Sequence, residues 1–260
     1  MGVALVCGGS RGIGRGCAIG LGEAGMTVWV TGRTEEDGRG PVPLAGSVRS
    51  TAAEVTAAGG RGVPRRCDHT DDDAVDLLVD EVLAAEGRLD VLVNAVWGGY
   101  ERFVGVGPLS WGPFWEQPLG LWDSMHVRGV RAAYVASSLA ARAMVARGSG
   151  LIVCLSSFAA KQFTPPVAYG VAHAAIDRMV ADMARELAGT GVTAVSLHPG
   201  LVRTENVLAN AEYFDLADSE SPQFIGRAIA ALAADPEIAA RNGRALVAAE
   251  LAAEYGFTDD

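Results

Sequence analysis

Positive charge is scarce in this sequence. The 260 residues include 21 lysines and arginines against 31 aspartates and glutamates, which gives a formal net charge of −10, and Lys161 is the only lysine. A protein that binds nucleic-acid phosphates needs a concentrated basic face, and the sequence contains none. We therefore expect no nucleic acid among its partners.

Cysteine is also rare, and no apolar stretch is long. The four cysteines form no CxxC pair, so they indicate small core residues in a reducing compartment, not a disulfide set or a metal site. No apolar run approaches the roughly 20 residues that a membrane span requires, and the first residues lack the charged start of a signal peptide. We expect a cytoplasmic protein with no metal and no membrane attachment.

Short apolar runs alternate with longer amphipathic ones along the chain. Half of the residues are hydrophobic, and the predicted strands cover residues 3–7, 27–31, 62–66, 91–94, 151–155, 193–197 and 245–247. The predicted helices cover residues 12–24, 47–58, 71–86, 121–147, 166–188 and 222–233. This alternation predicts an α/β fold with a doubly wound, mainly parallel sheet of about seven strands and helices on both faces. The length fits one domain over residues 1–260.

Two stretches interrupt this pattern and are predicted as substrate-side loops. Residues 97–120 are rich in aromatic side chains, among them Trp97 and Trp115, and residues 205–221 follow the sixth predicted strand. Aromatic side chains beyond the carboxyl end of a strand form a substrate wall or simply fix a long loop in place. The sequence supports these two interpretations about equally.

A glycine-rich turn joins the first predicted strand to the first predicted helix. Its glycines, Gly8, Gly12 and Gly14, allow a tight turn and close backbone approach, and the helix N-terminus attracts a pyrophosphate. The position of the motif between a strand and a helix makes it specific. We predict a dinucleotide site here, with Ser10, Arg11 and Ile13 as its other members.

The end of the second strand indicates which dinucleotide is bound. A carboxylate there would bind the ribose 2′-hydroxyl of NAD, but the strand runs into Gly32 and Arg33 instead. Arg33 and Arg11 together suit a 2′-phosphate, which a guanidinium group binds through paired hydrogen bonds. The sequence thus favours NADP over NAD, although the acidic run 35–37 follows closely.

These motifs occur in the order typical of the short-chain dehydrogenase/reductase family, which the chain resembles over nearly its whole length. Besides the glycine turn, the matching pieces are Asp68, Asn94, Ser156 with Ser157, Tyr169, and the segment Pro199-Gly200-Leu201-Val202-Arg203-Thr204. The pieces around residues 114–123 and 250–256 are most similar to the member-one type within this family. The resemblance implies a Rossmann-like fold and the interconversion of a carbonyl and an alcohol on a small-molecule substrate.

The resemblance also implies a role for each matching residue. Tyr169 would be the general acid and base, and Ser157, in preference to Ser156, would polarise the substrate carbonyl. The cofactor-binding set would be Gly8, Ser10, Arg11, Gly12, Ile13, Gly14, Arg33, Asp68, Asn94, Tyr169, His173, Pro199, Gly200, Val202 and Thr204. Relatives pair the helices that correspond to residues 121–147 and 166–188, so a homodimer or homotetramer is expected.

Two departures from the family pattern affect the catalytic half. His173 stands where the family has the lysine of YxxxK, and Gly129 stands where it has an asparagine. A free tyrosine has a pKa of about 10 and a free histidine one of about 6.5, so His173 would become a cation only below neutral pH. We therefore expect activity to grow below pH 7. Lys161 is expected to be a solvated loop residue and not a replacement cation.

Two functions remain open at this point. The first is an NADP(H)-dependent oxidoreductase with Tyr169, Ser157 and His173 as its catalytic residues. The second is an NADP(H)-binding homologue with little or no turnover, which acts as a sensor or through partners. The glycine turn supports both functions, whereas Tyr169 with Ser157 favours the first and His173 with Gly129 favours the second.

Overall fold

The computed structural model describes residues 2–40, 44–99 and 112–259. Seven parallel strands form one sheet in the order β3-β2-β1-β4-β5-β6-β7. The strands are β1 (Val3–Cys7), β2 (Thr27–Gly32), β3 (Arg61–Arg66), β4 (Val91–Asn94), β5 (Gly150–Leu155), β6 (Val192–His198) and β7 (Ala245–Val247). The predicted α/β fold with a parallel, doubly wound sheet is confirmed, and each strand lies within one residue of its predicted bounds.

Nine α-helices are present in the described residues. They are α1 (Gly12–Glu23), α2 (Val48–Ala57), α3 (Asp72–Glu86), α4 (Leu119–Met125), α5 (Ala132–Arg147), α6 (Val167–Glu186), α7 (Glu205–Leu208), α8 (Pro222–Ala234) and α9 (Ala248–Tyr255). The helix predicted over residues 121–147 is interrupted by a π-helical segment, His126–Arg131, between α4 and α5. The short helix α7 lies in the stretch predicted as the loop 205–221.

Both faces of the sheet are covered, as the continuous apolarity of its strands predicts. One core joins β1, β2 and β5 to α1 and α8, and the other joins the opposite strand faces to α3, α5 and α6. The edge strand β3 is the exception, since its arginines are exposed and Pro64 is tolerated where only one neighbour is hydrogen-bonded. The central strands are therefore the buried part of the sheet.

The strand order reverses between β1 and β4, which pair side by side up to Cys7 and Asn94. In an open parallel sheet, ligands bind in the crevice beyond the carboxyl ends of the strands at such a switch point. The glycine turn and the end of β4 lie at this crevice. In the predicted stretch 97–120, residues 100–111 lie outside the described residues. No helix among the described residues is both long and apolar enough to cross a bilayer.

Helix α1, which presents the glycine turn, packs closely against α8. A Cβ atom on Gly20 would lie 2.6 Å from the backbone of Gly226. We predict that Gly20→Ala lowers the free energy of unfolding by about 2 kcal/mol, because the overpacking cost exceeds the gain in helix propensity. Urea unfolding followed by circular dichroism measures this change. A variant as stable as the wild type would contradict the close packing of the two helices.

Candidate active site

A cavity of about 660 Å³ occupies the crevice at the switch point. Every predicted site residue lines it: Gly8, Ser10, Arg11, Gly12, Ile13, Gly14, Arg33, Asp68, Asn94, Ser157, Tyr169, His173, Pro199, Gly200, Val202 and Thr204. The structure therefore brings together residues from six strand ends, while the role of each residue stays a prediction. The cavity is also lined by residues that the sequence analysis did not assign, among them His69, Arg128, Glu205 and Phe214.

The glycine turn is shaped by close backbone contacts. Gly8 has a φ of +86°, and a Cβ on it would lie 2.8 Å from the backbone of Ala95. A Cβ on Gly14 would collide with the Gly8 carbonyl. Side chains at these two positions would push the turn away from the end of β4, so glycine is required there for steric reasons.

The N-terminus of α1 holds a carboxylate of the same chain. The backbone N–H of Gly12 donates to Glu205 Oε2 at 2.8 Å, and Arg15 donates to Glu205 Oε1 at 3.1 Å. Arg15 also pairs with Glu54 at 2.7 Å. Arg11, the residue before α1, makes no capping hydrogen bond through its side chain. An anion is favoured at a helix N-terminus, so the structure identifies this amide as an anion-binding point.

The sequence analysis missed Glu205, although one signal for it was present. Glu205 follows Thr204 directly, and Thr204 ends the matched 199–204 segment. The sequence therefore shows a carboxylate directly after a predicted cofactor segment. It does not show that this carboxylate contacts Gly12, because Gly12 lies far away along the chain.

The two arginines predicted to select the cofactor lie in one corner of the cavity. Arg11 donates to Thr34 Oγ1 and to the Gly46 carbonyl, each at 3.0 Å, and its Nε is buried with no hydrogen-bond partner. Burial lowers the pKa of Arg11, the charge of Glu205 opposes this effect, and the nearby charge of Arg33 adds to it. Two guanidinium groups and an unsatisfied donor make this corner a site for an anion.

The three acidic residues that follow Arg33 closely, Glu35, Glu36 and Asp37, form their ion pairs and hydrogen bonds outside the described lining of the cavity. Glu35 pairs with Arg49 at 2.7 Å, and Glu36 pairs with Arg39 at 2.9 Å. Asp37 accepts from the backbone N–H of Gly46 at 3.0 Å. None of these three carboxylates is among the described residues that line the cavity. They therefore do not line the corner beside Arg33, although the charge of Asp37 still acts on Arg11.

Asp68 and Asn94 lie at the ends of β3 and β4. Asp68 accepts from the Thr70 backbone at 3.0 Å and from its hydroxyl at 2.8 Å. Burial raises the pKa of Asp68, but these hydrogen bonds and the charge of Arg33 outweigh it and hold the pKa below its ordinary value. Asn94 donates to Ser137 Oγ at 2.9 Å, while its Oδ1 is buried with no partner.

The structure distinguishes the two serines at the end of β5. Ser156 is buried and donates to the His173 carbonyl at 3.3 Å, so its hydroxyl is engaged with the backbone of α6. Ser157 caps the short 3₁₀ helix Phe158–Ala160 and accepts there from the Ala159 N–H at 3.2 Å. The hydroxyl proton of Ser157 is not used in this contact. This arrangement favours Ser157 as the group that can donate to a ligand.

His173 is buried, with 6% of its surface exposed. Its ring lies 4.4 Å from the Tyr169 ring, edge to face, and its Nδ1 has no hydrogen-bond partner. Burial lowers the pKa of His173 to about 4; the charge of Asp177 opposes this shift and His198 adds to it. The expectation that this residue becomes a cation just below pH 7 is therefore wrong. His173 is neutral throughout the range from pH 6 to 8 because its burial outweighs the nearby carboxylate.

His173 and Gly129, the two departures from the family pattern, both lie against the ring of Trp97. The Trp97 ring stacks on His173 with ring centroids 4.4 Å apart and an angle of 11° between the planes. A Cβ on Gly129 would lie 2.7 Å from Trp97 Cζ3. Trp97, Gly129 and His173 thus form one packed cluster, although they are far apart in the sequence. We refer to these three residues as the aromatic cluster.

Two further basic residues, Lys161 and His198, lie outside the described lining of the cavity. Lys161 is exposed, as expected for a solvated loop residue. His198 is 1% exposed, and its Nε2 lies 3.0 Å from both carboxylate oxygens of Asp177. Neither residue is among the described lining of the cavity, so neither is a replacement cation at Tyr169.

Comparisons with known proteins give matches over most of the chain. The family model described as short chain dehydrogenase matches residues 2–212. Over 99% of its length the chain is 40% identical to mouse "Dehydrogenase/reductase SDR family member 1" and 37% identical to the human protein of that name, and the match covers 82% of each relative. A short-chain type dehydrogenase/reductase from Mycobacterium marinum has a TM-score of 0.78 and 27% identity, with 95% of this chain and 93% of that chain covered.

The Glu205 carboxylate at the N-terminus of α1 competes with any other anion there. We predict that Glu205→Gln tightens binding of NADPH by roughly fivefold, because a negative charge at the anion point is removed. Isothermal titration calorimetry measures the dissociation constant. The matched control is Glu54→Gln, since Glu54 binds the same Arg15 but makes no contact with Gly12. Equal effects of the two changes, or weaker binding to Glu205→Gln, would contradict this competition.

Proposed function

The chain belongs to the short-chain dehydrogenase/reductase family of oxidoreductases, and on that basis we propose that it interconverts a carbonyl and an alcohol with NADP(H). The observation that carries this proposal is the meeting of two groups of residues in one cavity. Ser157 and Tyr169 line the same space as the glycine turn and the arginine corner. A proton donor, a carbonyl-polarising hydroxyl and a dinucleotide cradle are the parts that the reaction requires.

Unsatisfied polar atoms around the cavity support a bound dinucleotide. Arg11 Nε, Asn94 Oδ1, Trp97 Nε1 and His173 Nδ1 are all buried without a hydrogen-bond partner, and all four residues line the cavity. Buried polar groups are normally paired, so a ligand with both donors and acceptors fits this lining. The glycine turn adds space for a phosphate next to the backbone.

Each part of the cofactor has residues that would hold it. The glycine turn would hold the pyrophosphate, Arg11 and Arg33 the 2′-phosphate, and Asp68 the adenine. Asn94, Tyr169 and His173 would hold the nicotinamide ribose, and the 199–204 segment the carboxamide. When bound, the cofactor supplies or accepts the hydride.

The protein's own chemistry concerns the substrate oxygen. The Ser157 hydroxyl would donate a hydrogen bond to that oxygen and polarise the carbonyl. Tyr169 would donate its phenolic proton to the same oxygen in reduction and accept it back in oxidation. With His173 neutral, orientation by these two hydroxyls, and not a cation beside Tyr169, would have to lower the barrier.

The proposed substrate is a small or medium-sized carbonyl compound or alcohol with an apolar body. Apolar residues of the cavity lining include Trp97, which contacts the Tyr169 ring, together with Pro165, Pro166, Leu201 and Phe214. By contrast, Phe114 and Trp115 are exposed and lie outside this lining. Among the described residues of the two predicted substrate-side loops, Trp97 and Phe214 would therefore form part of the substrate wall.

The proposed assembly is a homodimer or homotetramer. Several alanines of α5 are used inside the subunit, since Ala133, Ala136 and Ala140 belong to a core cluster. The outward faces of α5 and α6 carry exposed apolar side chains at Tyr134 and Val171. These faces would form the contact between subunits.

One observation favours the second candidate function, an NADP(H)-binding protein with little turnover. Burial lowers the pKa of His173 to about 4, so no charge on this residue assists Tyr169 near neutral pH. The glycine turn, Arg11 and Arg33, which would bind the cofactor, need no charge on His173. The two candidates therefore differ in whether the wild-type protein turns over a carbonyl substrate, and in the enzyme this turnover depends on the Tyr169 hydroxyl.

We predict that Tyr169→Phe lowers kcat for carbonyl reduction by about 10²–10⁴-fold, since the proton donor is lost. NADPH affinity should fall by no more than about tenfold, the cost of one hydrogen bond. Steady-state kinetics on a panel of diketones and quinones, with calorimetry for binding, measures both. The control Tyr134→Phe removes an exposed hydroxyl outside the described lining of the cavity and keeps the aromatic ring at the proposed subunit contact. Normal NADPH binding without turnover in the wild type would instead support the second candidate.

We predict that Arg33→Ala raises the dissociation constant of NADPH by roughly 10–100-fold and leaves that of NADH nearly unchanged, because only NADPH carries the 2′-phosphate. Calorimetric titration with each cofactor measures the ratio. Arg39→Ala is the matched control, since Arg39 is exposed and paired with Glu36. An equal loss for both cofactors would contradict selection by Arg33.

A further inference from the structure

Three aromatic rings contact one another at the reacting end of the cavity. Trp97 stacks on His173 at 4.4 Å and meets the Tyr169 ring edge to face at 5.7 Å. His173 meets Tyr169 at 4.4 Å with an angle of 71° between the planes. Each ring therefore restricts the other two, and the His173 ring is confined between the other two aromatic residues.

The position of the indole depends on the absence of a side chain at Gly129. A Cβ there would lie 2.7 Å from Trp97 Cζ3 and 2.8 Å from Cε3, well inside van der Waals contact. Both atoms belong to the rigid indole, which cannot bend away as a flexible chain end could. Gly129 is part of the π-helical segment His126–Arg131, which faces the cavity through Arg128.

We propose that Trp97 is a positioning residue that acts through His173: seated over Gly129, its indole holds the imidazole buried and against Tyr169. The geometric part of this proposal stands alone, and its effect on turnover rests on the proposed oxidoreductase function. Gly129 is the position that makes the arrangement possible.

Electrostatics follow from this packing. The titratable groups that face His173 are Tyr169 and Asp177 on its own helix and His198 on β6. Burial is the largest cause of the lowered pKa of His173, and it exceeds the opposing charge of Asp177. The indole covers one face of the imidazole. Removing it admits water and brings the pKa back toward its ordinary value.

The direct experiment is an NMR titration of ring-labelled histidines in the full chain. The chain has four histidines, and the His173 signal is identified as the one that is missing from the spectrum of His173→Gln. We expect wild-type His173 to remain neutral above pH 5, and its pKa to rise by about one to two units in Trp97→Ala. An unchanged His173 titration in Trp97→Ala would overturn the proposal.

A second experiment tests the coupling between Trp97 and Gly129. We expect Gly129→Ala to lower kcat/KM by about tenfold or more when Trp97 is present, because the indole must shift. In a Trp97→Ala background the same change should cost less than about threefold, since no ring remains to collide with. The control is Val127→Ala, an exposed position on the same π-helical segment. Equal losses in both backgrounds would overturn the proposal.

The pH profile separates positioning from a general loss of structure. Between pH 5 and 8, wild-type kcat/KM should show no inflection that His173→Gln removes. Trp97→Ala should gain such an inflection at roughly pH 5–6, where a His173 pKa raised by about one to two units lies. A Trp97→Ala profile parallel to the wild type, in a protein with an unchanged circular dichroism spectrum, would count against the proposal. If the wild type turns over no carbonyl, the proposed function fails, while the NMR titration still decides the role of Trp97.

Discussion

The close approach of the glycine turn to the end of β4 is the constraint on which the site depends. A Cβ on Gly8 would lie 2.8 Å from the Ala95 backbone, so the turn and the β4 end are held against each other. This contact fixes the N-terminus of α1 at the switch point of the sheet, and the packing of α1 on α8 holds it from behind. The anion point, the arginine corner and the end of β4 take their relative positions from it.

The same geometry explains why the two halves of the site differ in character. The cofactor half consists of backbone amides and arginines, whose electrostatic preference for anions is independent of pH near neutrality. The Glu205 carboxylate of the same chain is the anion that accepts a hydrogen bond at this position. Glu205 lies on α7 beside Asn206 and Val207, which also line the cavity. Occupancy of the anion point is therefore physically linked to the segment at the substrate end.

Much of the fold and of the cofactor half could be predicted from the sequence because the signals are local. The strands, the turn and Arg33 each depend on a few neighbouring residues. The aromatic cluster could not be predicted, since Trp97, Gly129 and His173 are separated by whole elements. The contact between Glu205 and Gly12 could not be predicted for the same reason. The lowered pKa of His173 could not be predicted, because the ordinary pKa of a histidine takes no account of burial beneath the indole.

The aromatic cluster changes how the catalytic departures should be understood. Taken singly, His173 and Gly129 are two losses, a missing cation and a missing amide. In the structure they are complementary, because the missing side chain at Gly129 makes room for the Trp97 ring that stacks on His173. A lysine introduced at 173 alone would have to fit its longer side chain beside the unchanged Trp97 ring, so a change at one of these positions alters the packing of the others. The three positions therefore have to be considered as one unit, and the neutrality of His173 is a property of the packing.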